Sequence, residues 1–302
     1  MRKSQIRNPK HRTENCPLSP RLNYFRIFLT FARNSIVRDM TFRANFLIDC
    51  LSTITWSLMD LGFYIFVVFR QTSQIGRDTG WGEWEFYTFL ATTKLINGLV
   101  QAFFMPNCEE VSELVRSGNF DFALLKPIDT QFLVSLRKID WPALSHIGVG
   151  GILLSISLWH ITQREIDPAQ LTLLTGVAYI FYILCGVAIL YSLMISLAAT
   201  SIWLGRNESL YDFWFYITNF SRYPMEIYSG DVGTPLRWIC TFIIPVLIVV
   251  NVPARILAQP LAAETPEARF LLFFTPAAAV ACLAISRWVF YRALRSYRSA
   301  SS

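Results

Sequence analysis

Apolar residues gather into six long runs: Asn45 to Phe69, Phe86 to Met105, Trp141 to Trp159, Leu171 to Leu204, Leu236 to Ala258 and Phe270 to Leu294. A helix crossing the hydrocarbon core of a bilayer needs roughly 20 mainly apolar residues at about 1.5 Å of rise each. Every run meets that length, so the pattern predicts an all-α polytopic membrane protein with six transmembrane helices. Buried helices of a soluble protein rarely run this long without a charged face. Trp81, Trp84, Trp141, Trp159 and Trp238 stand at the ends of runs, where an indole with one apolar and one polar side anchors a span at the interface.

The chain ahead of the first run has a different rhythm. Residues 1–22 are basic and polar, which predicts a disordered segment with no apolar core of a cleaved signal peptide. Over residues 23–44 the apolar positions Phe25, Phe28, Leu29, Ala32, Ile36 and Met40 recur at helical spacing, with Arg26, Arg33, Arg38 and Arg43 between them. That is the pattern of an amphipathic helix lying on the membrane surface.

The net charge of +6 is distributed by segment. Ten Lys and Arg precede the first run, seven lie in the second-to-third and fourth-to-fifth connections, including Arg206, Arg222 and Arg237, and four close the tail. These twenty-one of twenty-seven fall on one side of the expected spans; Arg70, Arg77, Arg164, Arg255 and Arg269 fall on the other. Basic residues accumulate on the cytoplasmic side, so both termini are expected inside (N-in, C-in). The basic excess then reflects orientation and attraction to anionic lipid rather than nucleic acid. The six cysteines form no CxxC pair, which points away from a metal site. No glycine is followed by lysine, so the GxxxxGK[ST] phosphate loop is missing and any ATP-driven work needs another subunit.

The connection at about 106–140 is more than a loop. Glu109 to Arg116 has helical character and ends at Ser117 and Gly118, a C-terminal stop. An apolar cluster, Phe120, Phe122, Leu124 and Leu125, is interrupted by Asp121 and closed by Lys126 and Pro127; Asp129 then offers a fresh N-cap. Helix, aromatic cluster, second helix: this suits a compact cytoplasmic projection that docks on another protein.

Two charges interrupt the first two runs. Asp60 stands nine residues from the outer end of its run and Lys94 eight from that of the next, at a depth of roughly 12 to 14 Å each. Opposite charges at one depth in hydrocarbon seek each other, so Asp60 and Lys94 are expected to pair. Asp49, Thr53, Trp56, Asp60 and Tyr64 share one helix face, and Lys94, Asn97, Gly98 and Gln101 another, which makes Asn97 and Gln101 candidates for a translocation pathway. Gly148, Gly150 and Gly151 in the third run predict close helix approach.

The stretch ELVRSGNFDFALLKPIDTQFLVSLR, Glu113 to Arg137, resembles the hallmark of a six-span bacterial family of type 2 ATP-binding-cassette permeases. RNESLYDFWF from Arg206, RYPMEIY from Arg222, FIIPVLIVVNVPARILA from Phe242 to Ala258 and the basic ending FYRALRSYRSASS from Phe290 add to the likeness. The resemblance implies a six-helix transmembrane domain over residues 45–302, preceded by an interfacial elbow helix at 23–44 and carrying a partly re-entrant extracellular element at about 251–269. It implies a permease subunit of an ABC exporter in the bacterial cytoplasmic (inner) membrane. Such a subunit pairs with a second permease chain, the same or different, and with two copies of an ABC ATPase, which bind the ATP and magnesium; the chain itself holds no cofactor and no catalytic residue. The coupling segment seated on the ATPase is then Glu113, Arg116, Gly118, Phe120, Asp121, Phe122, Lys126 and Pro127, with Phe120 and Phe122 as the apolar plug. An ion-coupled secondary carrier and a membrane scaffold are the alternative readings.

Overall fold

The computed structural model describes residues 23–69, 81–163, 172–204, 210–258 and 266–297; the expected disordered segment 1–22 and residues 259–265 of the expected re-entrant element lie outside them. Every regular element among the described residues is helical.

Helix α1 (Tyr24–Thr41) opens on Asn23, whose side chain accepts from the Arg26 N–H, the usual way to satisfy a free donor at a helix start. The backbone breaks at Phe42 and α2 (Arg43–Gly62) follows, continuing as a π-helical turn over Phe63–Phe69. Helix α3 (Glu83–Phe103) starts after an extended Gly82, with Glu83 and Glu85 complementing the positive end of its dipole. Three shorter helices come next: α4 (Met105–Arg116), α5 (Phe120–Leu124) and α6 (Thr130–Leu136). Then come α7 (Leu144–Gln163), the long α8 (Leu173–Leu204) and α9 (Leu210–Phe220). The chain ends with α10 (Gly230–Trp238), α11 (Leu247–Ala258) and α12 (Pro266–Ser296).

Among the described residues, four helical stretches are long and apolar enough to cross a membrane, Arg43–Val67, Leu144–Gln163, Leu173–Trp203 and Pro266–Ser296, or five if the bent pair Gly230–Ile243 and Leu247–Ala258 counts as one span, against the six expected. Two expected spans differ for physical reasons. Helix α3 has the length but is too polar to qualify, because it is the centre of the bundle. It packs on α7, α8 and α11, and its Thr88, Thr92 and Thr93 are buried. Neighbouring helices meet their hydroxyls: Thr88 Oγ1 lies 2.7 Å from Ser157 Oγ and Thr92 Oγ1 3.0 Å from the Tyr179 hydroxyl. A helix shielded by protein needs no apolar surface for lipid.

The expected continuous span Leu236 to Ala258 is instead a bent pair. Helix α10 runs on as a π-helical turn, Ile239–Ile243, and meets α11 at 89°. The break falls at Ile244, Pro245 and Val246. Proline forces the preceding residue out of helical conformation, and Ile244 is indeed extended, with φ −115° and ψ 86°. Arg237 lies 3.7 Å from Glu267, and Phe242 packs on Phe274 with ring centroids 5.3 Å apart, so the first limb runs alongside the start of α12. The second limb turns back. Asn251 Oδ1 accepts from the Met225 N–H at 2.9 Å, and Arg255 pairs with Glu226. The element is therefore a right-angled pair of limbs, Gly230–Ile243 and Leu247–Ala258, and its second limb overlaps the start of the re-entrant segment expected at 251–269.

Close packing of α11 rests on one glycine. Pro253 has no N–H to give the Val249 carbonyl, and Gly186 of α8 approaches that oxygen so closely that a Cβ would sit 2.9 Å from it.

Candidate functional site

The segment 105–140 folds as a braced projection. Helix α4 ends at Ser117, and Gly118 takes φ +73°, the left-handed stop that a side chain would strain. Helix α5 follows. Phe120, expected in the docking plug, is a core residue: it is fully buried, its ring 5.2 Å from that of Tyr297. The turn of α5 carries Phe122 and Leu125 to the opposite side, where they are 67% and 80% exposed. Glu113 and Arg116 form an exposed bridge of 2.7 Å, Asp121 lies beside Tyr297, and Lys126 and Pro127 are exposed.

Three clasps hold this tip. Asp129 caps α6 through the Phe132 N–H at 2.9 Å and accepts from Arg287 at 2.8 Å and the Tyr291 hydroxyl at 2.7 Å, both on α12. Partial burial works against its charge, and those hydrogen bonds outweigh it, holding its carboxyl below the ordinary aspartate value. Ser35 of α1 accepts from the Ile139 N–H and donates to the Ile139 carbonyl. Glu110 binds Arg137 and Lys138, each at 2.8 Å. Beside the last clasp, burial raises the carboxyls of Glu109 and Asp140, and Glu109 is raised further by the Asp140 charge.

The second site lies within the bundle. Lys94 Nζ of α3 is 2.5 Å from Asp60 Oδ2 of α2. Arg222, just past the end of α9, brings its Nη1 to 3.9 Å from the other Asp60 oxygen. Arg222 falls in the expected fourth-to-fifth connection; α9 ends at Phe220, and nothing in the local pattern tells that the following turn folds back against α2. The three charges line a cavity of about 440 Å³ whose walls include Asn97 and Gln101 from α3, Trp56 and Tyr64 from the α2 segment, and His146 from α7. The His146 Nδ1 has no hydrogen-bond partner among the described residues.

A family model described as ABC-2 family transporter protein matches residues 22–301. The chain belongs to the ABC-2 transporter family. As an ABC-2 type permease it is an integral membrane component of a transport system, in agreement with the likeness carried by Glu113 to Arg137. The match begins at the residue before Asn23, so it takes in the α1 helix and leaves out the N-terminal segment. Searches of curated proteins and of solved structures returned no match. Within this ABC-2 permease the two sites divide the chemistry: the braced tip is an apolar surface with a charged rim, and the cavity is a charged chamber among helices.

Proposed function

We propose that the chain is the membrane-spanning permease subunit of an ABC exporter, driven by two copies of a separate ATPase and completed by a second permease chain. The observation that carries this reading is the projection: Phe122 and Leu125 present bare apolar surface on a short helix clasped to both α1 and α12. An apolar anchor with a polar rim is how a protein docks on a partner, and clasps at its base let a push on the tip reach the spanning helices without being absorbed by a loop. Leu125 takes the place of Phe120 in the proposed plug. Glu113, Arg116, Asp121 and Lys126 form its rim.

The topology proposed has both termini cytoplasmic and α1 as the interfacial elbow. The six crossings are the α2 segment, α3, α7, α8, the stretch 210–227 made of α9 and the turn Met225–Ile227, and α12, with the bent α10–α11 pair dipping in from outside. This places Arg222 within the membrane and Arg237 on the outer side, leaving nineteen of the twenty-one basic residues inside, so the charge asymmetry still favours this orientation. The backbone of α11 at membrane depth is tolerable because α3 and α8 cover it.

The test is co-purification from native membrane. The wild-type chain is expected to retain an ATPase, and Leu125→Asp and Phe122→Asp to lose it with helical content unchanged, because both side chains face water. Equal ATPase retention by Leu125→Asp, or transport that survives ATP depletion and stops when ion gradients are dissipated, would overturn the reading.

A further inference from the structure

The cavity between α2, α3 and α9 has an unbalanced charge. Among the described residues that line it, Asp60 is the one carboxylate, while Lys94 and Arg222 are both cations. Hydrocarbon surroundings make an uncompensated charge costly, so the chamber has a standing deficit of one negative charge. A neutral hydrogen-bonding deficit goes with it. Ser57 on the same wall is 1% exposed and its hydroxyl has no partner, although a buried hydroxyl ordinarily finds one. The space is also accessible. Trp56 and Phe215 at its rim are 64% and 45% exposed, and Arg222 sits over the Phe215 ring, 5.8 Å from its centroid. Its volume of about 440 Å³ falls within the roughly 300–1,000 Å³ of small-molecule sites.

We propose that this chamber binds the single anionic group, a phosphodiester or a carboxylate, of an amphipathic molecule. Arg222, with its planar fork of donors, and Lys94 hold the anion; Ser57, Asn97 and Gln101 hydrogen-bond its polar neighbours; Trp56 and Phe215 take the carbon chain at the mouth. Asp60 keeps the two cations in place and limits the net charge to one, which selects a monoanion over a dianion. The proposal takes the membrane depth of these helices from the function proposed above and needs nothing from the ATPase.

Binding is measured on the full chain alone, purified in a neutral maltoside detergent, with oleoyl lysophosphatidylglycerol, oleate and oleoyl lysophosphatidylcholine as probes. The two anionic probes are expected to bind at least tenfold tighter than the zwitterionic one. Arg222→Gln should erase that preference and Arg222→Lys keep most of it. Asn97→Leu, which fills the chamber without touching a charge, should weaken lysophosphatidylglycerol fivefold or more, and carries the test alone if Arg222→Gln does not fold. Anionic and zwitterionic probes within twofold of each other on the wild type, or unchanged anion binding in Asn97→Leu, overturns the proposal. Native mass spectrometry of the chain from its own membrane separates the two sources of the anion. A phospholipid retained by the wild type and lost from Arg222→Gln identifies a resident lipid; anion binding with none retained identifies cargo in transit. Because no ATPase is present, failure here leaves the docking reading untouched, and failure of docking leaves this one standing.

Discussion

Asp60 answers two cations at once, which changes what its removal does. With Asp60→Asn, Lys94 and Arg222 face each other across the chamber with no carboxylate between them. Breaking a fully buried ion pair costs about 3–5 kcal/mol; the Asp60 side chain is 35% exposed to the chamber, so about 2–3 kcal/mol is expected, read as a lower melting temperature in detergent. A melting curve equal to wild type would show the cluster to be solvated. Exchanging the charges, Asp60→Lys with Lys94→Asp, should restore little, because the new lysine meets Arg222. The two phenylalanines of α5 separate just as sharply. Phe120→Ala empties a site walled by Tyr297 and should cost about 3–5 kcal/mol, whereas Phe122→Ala should stay within about 0.5 kcal/mol. Their alternation was visible in the residue pattern; which of the two faces water was not, since a five-residue helix presents an apolar residue on either side and the fold chooses.

Among the helices, small residues decide where two backbones can meet. Gly148, Gly150 and Gly151 looked equivalent on α7, yet only Gly150 touches a neighbour: a Cβ there would lie 3.0 Å from Lys94 Cβ and 3.1 Å from the Ala91 carbonyl, while Gly148 and Gly151 face open space. Gly98 makes the reciprocal approach from α3 to Ile147. Gly150→Val should therefore force α3 and α7 apart at about 1–3 kcal/mol, the usual penalty of overpacking, and displace Lys94 from Asp60. Gly151→Val, one position on, should melt like wild type; similar losses in both variants would contradict the contact geometry. Ser117, Gly118 and Asp129 were legible as stops and caps because those signals act within four residues. The bend at Pro245 was written there too, and the apolar run across it masked it, since hydropathy is blind to direction.

In the whole molecule, the proposed topology puts the start of α10 and the α5 tip on opposite sides of the membrane. Single cysteines at Val232 and Leu125, 82% and 80% exposed, in an otherwise cysteine-free chain, test it with a membrane-impermeant maleimide. Val232→Cys should react on intact cells and Leu125→Cys only after permeabilisation; the reverse order would invert the topology. Much of this protein follows from local order along the chain. Run length and amphipathic spacing set the helices, caps and glycines set their ends, and the family stretch Glu113 to Arg137 pointed to its membrane transport role. Which helix sits in the middle, that Arg222 joins Asp60 and Lys94, and which side chain forms the exposed tip arose from packing. Those outcomes depend on contacts between residues as far apart as Asp60 and Arg222, and periodicity holds information about a residue's own helix face but none about the neighbour it will meet.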